Sequence, residues 1–80
     1  MNFEKLETML QMQDRLNKVI NLAWVESNYP WHRAIAVEGV EALEHYGWKW
    51  WKAKPEPDVA QIQLELVDIW HFAMSLILGN

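Results

Sequence analysis

The chain lacks cysteine altogether, contains only three prolines and three glycines, and carries fewer basic than acidic residues. Without cysteine it forms no disulfide and offers no thiolate to zinc. This composition fits a reducing compartment, so we expect a cytoplasmic protein. Seven lysines and arginines against eleven acids leave a net charge of −4, which argues against binding to the phosphate backbone of a nucleic acid.

Long apolar segments are also missing from the sequence. Residues 1–5 carry charges of both signs with no apolar segment behind them, so we expect no signal peptide. The longest uncharged stretch, residues 69–80, falls short of the roughly 18 residues that a membrane span needs. We therefore predict no membrane-spanning segment and no membrane partner.

The length of 80 residues allows one small domain, spanning residues 1–80. A chain of this size buries only roughly 60% of the surface that its unfolded form exposes. Apolar surface is plentiful, because 51% of the residues are hydrophobic and six are tryptophans. With no disulfide or zinc site to add stability, self-association is the expected source of further burial.

Proline and glycine divide the chain into three stretches, and each stretch has apolar residues at helical spacing. The pattern predicts an all-α fold with three helices and no sheet. We place the first helix at about residues 3–20. The second begins near Pro30, a favoured residue of the first turn, and stops before Gly47, a favoured residue just past a helix end.

The third helix is predicted to begin at Asp58 and to end before Gly79. Asp58 with Gln61 three residues later resembles a capping box. Two segments are predicted to be irregular, namely residues 21–29 and the tryptophan–lysine run that leads to Pro55.

Two amide side chains interrupt the apolar face of the first helix. At about 100° per residue, Gln13 and Asn17 share a face with Phe3, Leu6 and Leu10. A buried amide must be hydrogen-bonded, and it offers both a donor and an acceptor, which suits the edge of a nucleobase. The other interpretation is that the pair fixes the helix register or bonds to a neighbouring chain.

Four carboxylates stand in pairs on the inward faces of the second and third helices. Glu38 and Glu41 are one helical turn apart, and so are Glu65 and Asp68. Such pairs are common on solvated faces, but Glu65 falls inside an apolar stripe, where an unpaired carboxylate is costly. A bound divalent cation resolves this conflict. Oxygen ligands without cysteine indicate a hard ion, Mg²⁺ or Mn²⁺, rather than zinc.

A run of tryptophans and lysines follows the second helix directly, at residues 48–54. Such a run can stack a base and attract phosphate. Equally, its rings can cap the hydrophobic core while the lysines extend into water, and we expect at least one of the three tryptophans to lie in the core. Among the histidines, His71 lies one turn beyond Asp68, whereas His32 and His45 are interpreted as structural.

Several segments, taken in order, resemble the all-α dimeric dUTPases, which belong with the MazG-like and dCTP-cleaving nucleotide pyrophosphohydrolases. The resemblance covers almost the whole chain. Its most specific parts are Glu-Leu-Val-Asp-Ile-Trp-His-Phe at residues 65–72 and Gly-Trp-Lys-Trp-Trp-Lys at residues 47–52. Further matching segments are residues 9–17, residues 30–33 and residues 38–43.

The resemblance implies Mg²⁺-dependent hydrolysis of dUTP to dUMP and pyrophosphate, in which water attacks the α-phosphorus. By position in the family's motifs, the metal ligands would be Glu38, Glu41, Glu65 and Asp68. The ions would polarise phosphate oxygens and lower the pKa of the attacking water. Glu41 would be the catalytic residue that takes the proton of this water.

The resemblance further implies which side chains bind the pyrimidine deoxynucleotide. The amides that would read the uracil edge are Gln13 and Asn17. The side chains that would close the base pocket are Trp50, His71 and Phe72. The lysines that would face phosphate are Lys49 and Lys52. Family members are typically longer, with further helices, so the chain is similar to their amino-terminal, metal-binding part. We therefore expect a homo-oligomer, a dimer or tetramer, in which a partner copy replaces the missing helices.

Two other function classes stay open beside the nucleotide hydrolase. One is a truncated remnant that forms an oligomeric helical bundle and at most binds metal or nucleotide. The other is a redox site, because Asp68 and His71 repeat the i, i+3 spacing of di-iron carboxylate proteins. The sequence contains one such pair, and the residues around it match the dUTPases better.

Overall fold

A computed structural model describes residues 2–53 and 56–79 of the chain. The three helices are α1 at Phe3–Ile20, α2 at Trp31–Tyr46 and α3 at Val59–Gly79. No strand occurs within the described ranges. The predicted all-α fold with three helices is therefore confirmed.

Gly47 and Asp58 mark helix ends, as the sequence predicts, but the backbone N–H of Asp58 donates to the carbonyl of His45 and not to the Gln61 side chain of a capping box. Gly47 follows α2 with a φ of 80°, in the left-handed region that favours glycine, and its N–H donates to the carbonyl of Leu43 at 3.0 Å. The Asp58 side chain accepts a hydrogen bond from the backbone N–H of Gln61 at 3.1 Å, ahead of the first turn of α3. Both boundaries thus follow from short-range chemistry.

α3 packs against both other helices, and its contact with α2 is the more extensive. The described residues bury few apolar side chains fully, chiefly Trp24 and Met74. Within the same residues, the buried polar or charged side chains are Gln13, Asn17, Glu65 and Ser75. Buried polar groups in such proportion are unusual for structural packing alone, because each must find a partner.

Trp24 anchors the connection between α1 and α2. It is 2% exposed, and its Nε1 donates to Asp14 Oδ1 on α1 at 3.0 Å. Its ring packs edge-on against that of Trp31, with ring centroids 6.0 Å apart. Hydrogen bonds from Lys18 and Trp24 hold the pKa of Asp14 below its ordinary value. α3 extends through Gly79, one residue further than predicted. A Cβ atom there would lie 3.7 Å from the Trp24 ring, so the helix end packs beside this indole.

Large apolar side chains remain exposed on every helix, including Val19, Val40 and Ile77. By length and composition alone, α3 is able to cross a membrane. The sequence argument counted only uncharged residues, whereas this test tolerates the two charges of Glu65 and Asp68. Core helices of soluble proteins pass the same test. Length therefore does not exclude a membrane contact, and the absence of a membrane partner stays a prediction.

Candidate functional site

Three carboxylates from two helices converge where α2 packs against α3. One oxygen each from Glu38, Glu41 and Glu65 lies within 4.8 Å of the other two. The i, i+3 spacing places the first two on one side of α2, and the third interrupts the apolar stripe of α3. We call these three residues the glutamate cluster.

Glu65 is the most enclosed member of the glutamate cluster, with 4% exposure. Its Oε1 lies 3.7 Å from Nε2 of His45. Its Oε2 is buried without a hydrogen-bond partner, which holds for no other side-chain nitrogen or oxygen within residues 2–53 and 56–79. A buried carboxylate oxygen without a hydrogen-bond partner destabilises the folded protein. A hard divalent cation between the three glutamates would satisfy it, so the donor set fits such an ion.

The pKa of Glu38 reflects its loss of water first and the neighbouring negative charges second. Loss of water around this carboxyl raises its pKa above the ordinary value. The charges of Glu41, Asp68 and Glu65, followed by a hydrogen bond with Glu41, raise it further. Without a cation, these carboxylates repel one another.

Asp68, the fourth predicted metal ligand, lies at the edge of the site. It is exposed, one turn beyond Glu65 on α3, and is not part of the group within 4.8 Å, although its charge acts on Glu38. Glu41 is exposed as well. The site therefore has a buried side at Glu65 and a side open to solvent at Glu41 and Asp68. The role of Asp68 as a ligand stays a prediction.

A second polar group, the amide network, lies between α1 and α3. Gln13 donates from Nε2 to Asn17 Oδ1, and Asn17 donates from Nδ2 to Ser75 Oγ, both at 2.9 Å. Nδ1 of His71 lies 2.5 Å from Gln13 Oε1, and Ser75 donates to the backbone oxygen of His71 at 2.9 Å. The two buried amides are thus satisfied within the chain, which supports a role in helix register. Each keeps one further N–H.

An apolar groove of about 340 Å³ opens beside the amide network. Such a volume is in the range of small-molecule sites. The side chains that line it are Met9, Met12, Gln13, Leu16, Trp70, His71 and Met74. Two residues predicted to contact the base, Gln13 and His71, therefore share one groove.

A sequence model of a protein family described as dUTPase matches residues 5–80 of the chain. The chain belongs to the dUTPase family. No curated protein and no solved structure matches it. Membership suggests dUTP hydrolysis with a divalent metal, and the glutamate cluster agrees with this. The resemblance drawn from the sequence motifs is confirmed.

In this dUTPase-family chain, two of the predicted base-pocket residues lie away from the groove. Phe72 packs its ring against Trp31, with centroids 5.9 Å apart. Trp50 is 83% exposed and meets Trp51 edge-on at 4.6 Å. Hydrogen bonds bring Gln13, Asn17 and His71 together in the single chain. Asn17, like Trp50 and Phe72, does not line the groove.

The tryptophan–lysine run of this dUTPase relative leaves α2 as an irregular turn, as predicted. The expectation that one of its tryptophans lies in the core is wrong for the single chain. Trp48, Trp50 and Trp51 are all exposed, because their rings pack edge-on against one another instead of against the helices. Lys54 and Pro55, at the end of the run, lie outside the described residues.

The two predicted phosphate-facing lysines lie together at the end of α2. Lys49 Nζ lies 3.1 Å from Glu44 Oε2, and Lys49 and Lys52 both line a cavity of about 200 Å³. Both lysines therefore border one cavity, and Lys49 is paired with the exposed carboxylate of Glu44.

Two residues of the site were not predicted from the sequence. His45 was interpreted as structural, yet its ring lies beside Glu65, and its carbonyl accepts a hydrogen bond from the backbone N–H of Asp58 at 3.0 Å. Its spacing of one turn after Glu41 was the available signal. Ser75 was not singled out, although it follows His71 by one turn.

Replacing Glu38 with glutamine is expected to raise the thermal stability of the metal-free protein and to weaken Mg²⁺ binding. The substitution removes one of several like charges that repel in the absence of a cation, and it also removes a ligand. The melting temperature should be measured in chelator and in excess Mg²⁺. The control is Glu7→Gln, which removes the charge of an exposed residue of α1. An equal gain in stability from Mg²⁺ in Glu38→Gln and in the unaltered protein would contradict this account.

Proposed function

We propose that the protein is a Mg²⁺-dependent nucleoside triphosphate pyrophosphohydrolase that converts dUTP to dUMP and pyrophosphate. The observation that carries this proposal is the buried, unpartnered Oε2 of Glu65 within the glutamate cluster. It stands in a chain whose residues 5–80 match the dUTPase family. Mn²⁺ would fit the same oxygen ligands.

Glu38, Glu41 and Glu65 would hold the ion, with Asp68 as a fourth ligand from the solvent side. When bound, the ion supplies charge neutralisation at the phosphate oxygens and lowers the pKa of the attacking water. Glu65 is fixed by burial between α2 and α3, so it provides a ligand position that does not depend on mobile surface side chains.

Glu41 takes the role of general base in this proposal. Its carboxylate is exposed, so both water and a phosphate chain reach it, and it shares the cluster with Glu38 and Glu65. The water oxygen attacks the α-phosphorus, and the bond from this phosphorus to the bridging oxygen breaks. Pyrophosphate leaves, and Glu41 accepts the proton of the water.

The groove beside the amide network would hold the base. Its walls at Met9, Leu16 and Met74 are apolar, as the faces of a pyrimidine require. The remaining N–H of Gln13 matches a carbonyl oxygen of uracil. Asn17 acts behind Gln13 by holding its side chain in place.

A second copy of the chain would complete the site. Trp50 is highly exposed and therefore available to a neighbouring protomer, and Phe72 with the lysines Lys49 and Lys52 would reach the nucleotide in the same assembly. The exposed apolar residues on all three helices supply surface for such contacts. The proposed assembly is a homodimer or homotetramer.

The reaction is tested by hydrolysis of dUTP in water enriched in ¹⁸O, with dCTP, dTTP and UTP assayed in parallel. Label in dUMP supports attack on the α-phosphorus, and label in pyrophosphate contradicts it. Preference for dUTP supports the proposed substrate. Release of inorganic phosphate with dUDP as product would place the chain in a different reaction class.

Gln13→Ala is expected to reduce discrimination among bases by about five- to tenfold while Mg²⁺ binding stays intact. The substitution removes an amide that lines the groove, which is formed by α1 and α3, whereas the glutamate cluster lies between α2 and α3. The check is the ratio of kcat/KM for dUTP and dCTP, with Mg²⁺ affinity measured on the same sample. Unchanged base selectivity would assign Gln13 to structure alone.

The alternative function is a non-catalytic remnant that forms a helical bundle and at most binds metal or nucleotide. Two observations favour it: the buried amides already have partners within the chain, and Trp50 and Phe72 lie outside the groove. Binding of Mg²⁺ or dUMP without release of pyrophosphate from dUTP would select this alternative.

A further inference from the structure

Ser75 determines the direction of the hydrogen bonds in the amide network. It is 1% exposed, and its Oγ lies 2.9 Å from two groups, the backbone oxygen of His71 and Nδ2 of Asn17. A hydroxyl has one proton, and a carbonyl oxygen only accepts. Ser75 therefore donates to His71 and must accept from Asn17.

This single proton orients the rest of the network. Because Asn17 turns Nδ2 to Ser75, its Oδ1 faces Gln13 and accepts from Nε2 at 2.9 Å. Gln13 then presents Oε1 to Nδ1 of His71, at 2.5 Å. An amide oxygen at this distance requires a donor, so neutral His71 carries its proton on Nδ1. Its Nε2 keeps a free lone pair and acts as an acceptor.

We infer that Ser75 is a specificity-determining positioning residue, which acts through Asn17 and Gln13 to hold His71 in the tautomer whose Nε2 accepts a hydrogen bond. Both Gln13 and His71 line the groove. The inference assigns the remaining N–H of Gln13 as the donor to the base and Nε2 of His71 as the acceptor. Uracil offers the complement, a carbonyl oxygen beside the N3–H donor. Cytosine presents an unprotonated N3, which meets the lone pair of Nε2 unfavourably. The choice of base rests on the proposed function, whereas the direction of the hydrogen bonds does not.

Removal of the hydroxyl frees the network without removing a group that faces the groove. In Ser75→Ala, the side chains of Asn17 and Gln13 are able to exchange their oxygen and nitrogen positions. Gln13 then presents Nε2 to Nδ1 of His71 and favours the other tautomer, with a proton on Nε2. The helix tolerates this change because alanine is the most favourable helical residue.

The first arm of the test is ¹⁵N NMR of the nucleotide-free protein at mildly alkaline pH, with the His71 signals assigned from a His71→Asn variant. The ring nitrogens of the unaltered protein are expected to show the Nδ1–H tautomer. Ser75→Ala is expected to populate the Nε2–H tautomer, and Ser75→Thr, which keeps the hydroxyl, is expected to restore Nδ1–H. An Nε2–H tautomer in the unaltered protein, or an unchanged tautomer in Ser75→Ala, overturns the inference.

The second arm is the ratio of kcat/KM for dUTP to that for dCTP. In Ser75→Ala this ratio is expected to fall at least about fivefold, and Ser75→Thr should recover it. A tautomer change without a change in the ratio overturns the role in specificity. If the unaltered protein cleaves neither nucleotide, the proposed function fails and the role in base choice fails with it, while the NMR arm still decides the direction of the hydrogen bonds.

Discussion

Glu65→Gln is expected to abolish Mg²⁺ binding and to lower dUTP turnover by at least about a hundredfold, while the helices stay folded. Glutamine keeps the shape of the side chain and removes its charge. In the unaltered protein, this charge lies buried with Oε2 unpartnered and Oε1 3.7 Å from His45, so only a cation would compensate it fully. The measurements are isothermal titration with Mg²⁺, pyrophosphate release and circular dichroism.

The matched control for Glu65→Gln is Glu7→Gln, which removes one negative charge from the exposed surface of α1. It is expected to leave Mg²⁺ affinity and turnover unchanged, because the lost charge is not part of the glutamate cluster. Unchanged Mg²⁺ affinity in Glu65→Gln would remove this residue from the ligand set. Loss of helicity in that variant would instead show that the carboxylate is needed for folding.

Trp24→Ala is expected to lower the free energy of unfolding by about 3 kcal/mol or more. The indole is 2% exposed, bonds to Asp14 on α1, contacts Trp31 on α2 and lies beside the end of α3. Its removal leaves a cavity between Asp14, Trp31 and the end of α3. Small domains have only about 5–15 kcal/mol of stability in total, so this loss is a large fraction of it. Urea unfolding at fixed protein concentration measures the change.

Trp24→Phe separates packing from hydrogen bonding at the same position. Phenylalanine keeps an aromatic ring but loses the Nε1 donor to Asp14, so the expected cost is about 1 kcal/mol. If Trp24→Ala lowers the free energy of unfolding no more than Trp24→Phe does, the ring does not anchor the three helices.

The helices and the glutamate cluster were predictable because short-range rules govern them. Gly47 and Asp58 terminate and cap helices by local backbone chemistry, and the structure shows both roles. The spacing of Glu38 and Glu41 on one helix face follows from helical geometry, and Glu65 was marked by its place in an apolar stripe. A charged residue at a position that the helical pattern predicts to be buried indicates a functional site, and a single sequence is enough to reveal it.

Contacts between helices were not predictable from the same rules. His45 meets Glu65 only because of the register between α2 and α3, which no local pattern encodes. Ser75 gave no signal, since a serine in an apolar helix is common, and its importance comes from Asn17 across the α1–α3 interface. The tryptophan run was expected to contribute to the core, but in the single chain Trp50 contacts other rings of the run.

Pyrophosphate release from dUTP, with and without Mg²⁺, on protein whose mass in solution is determined in the same buffer, tests the central claim most directly. The account predicts release that requires Mg²⁺, is greatest with dUTP and comes from an oligomer. Absence of release from a well-folded oligomer at high protein concentration would contradict it, and would leave the glutamate cluster as a metal site without catalysis.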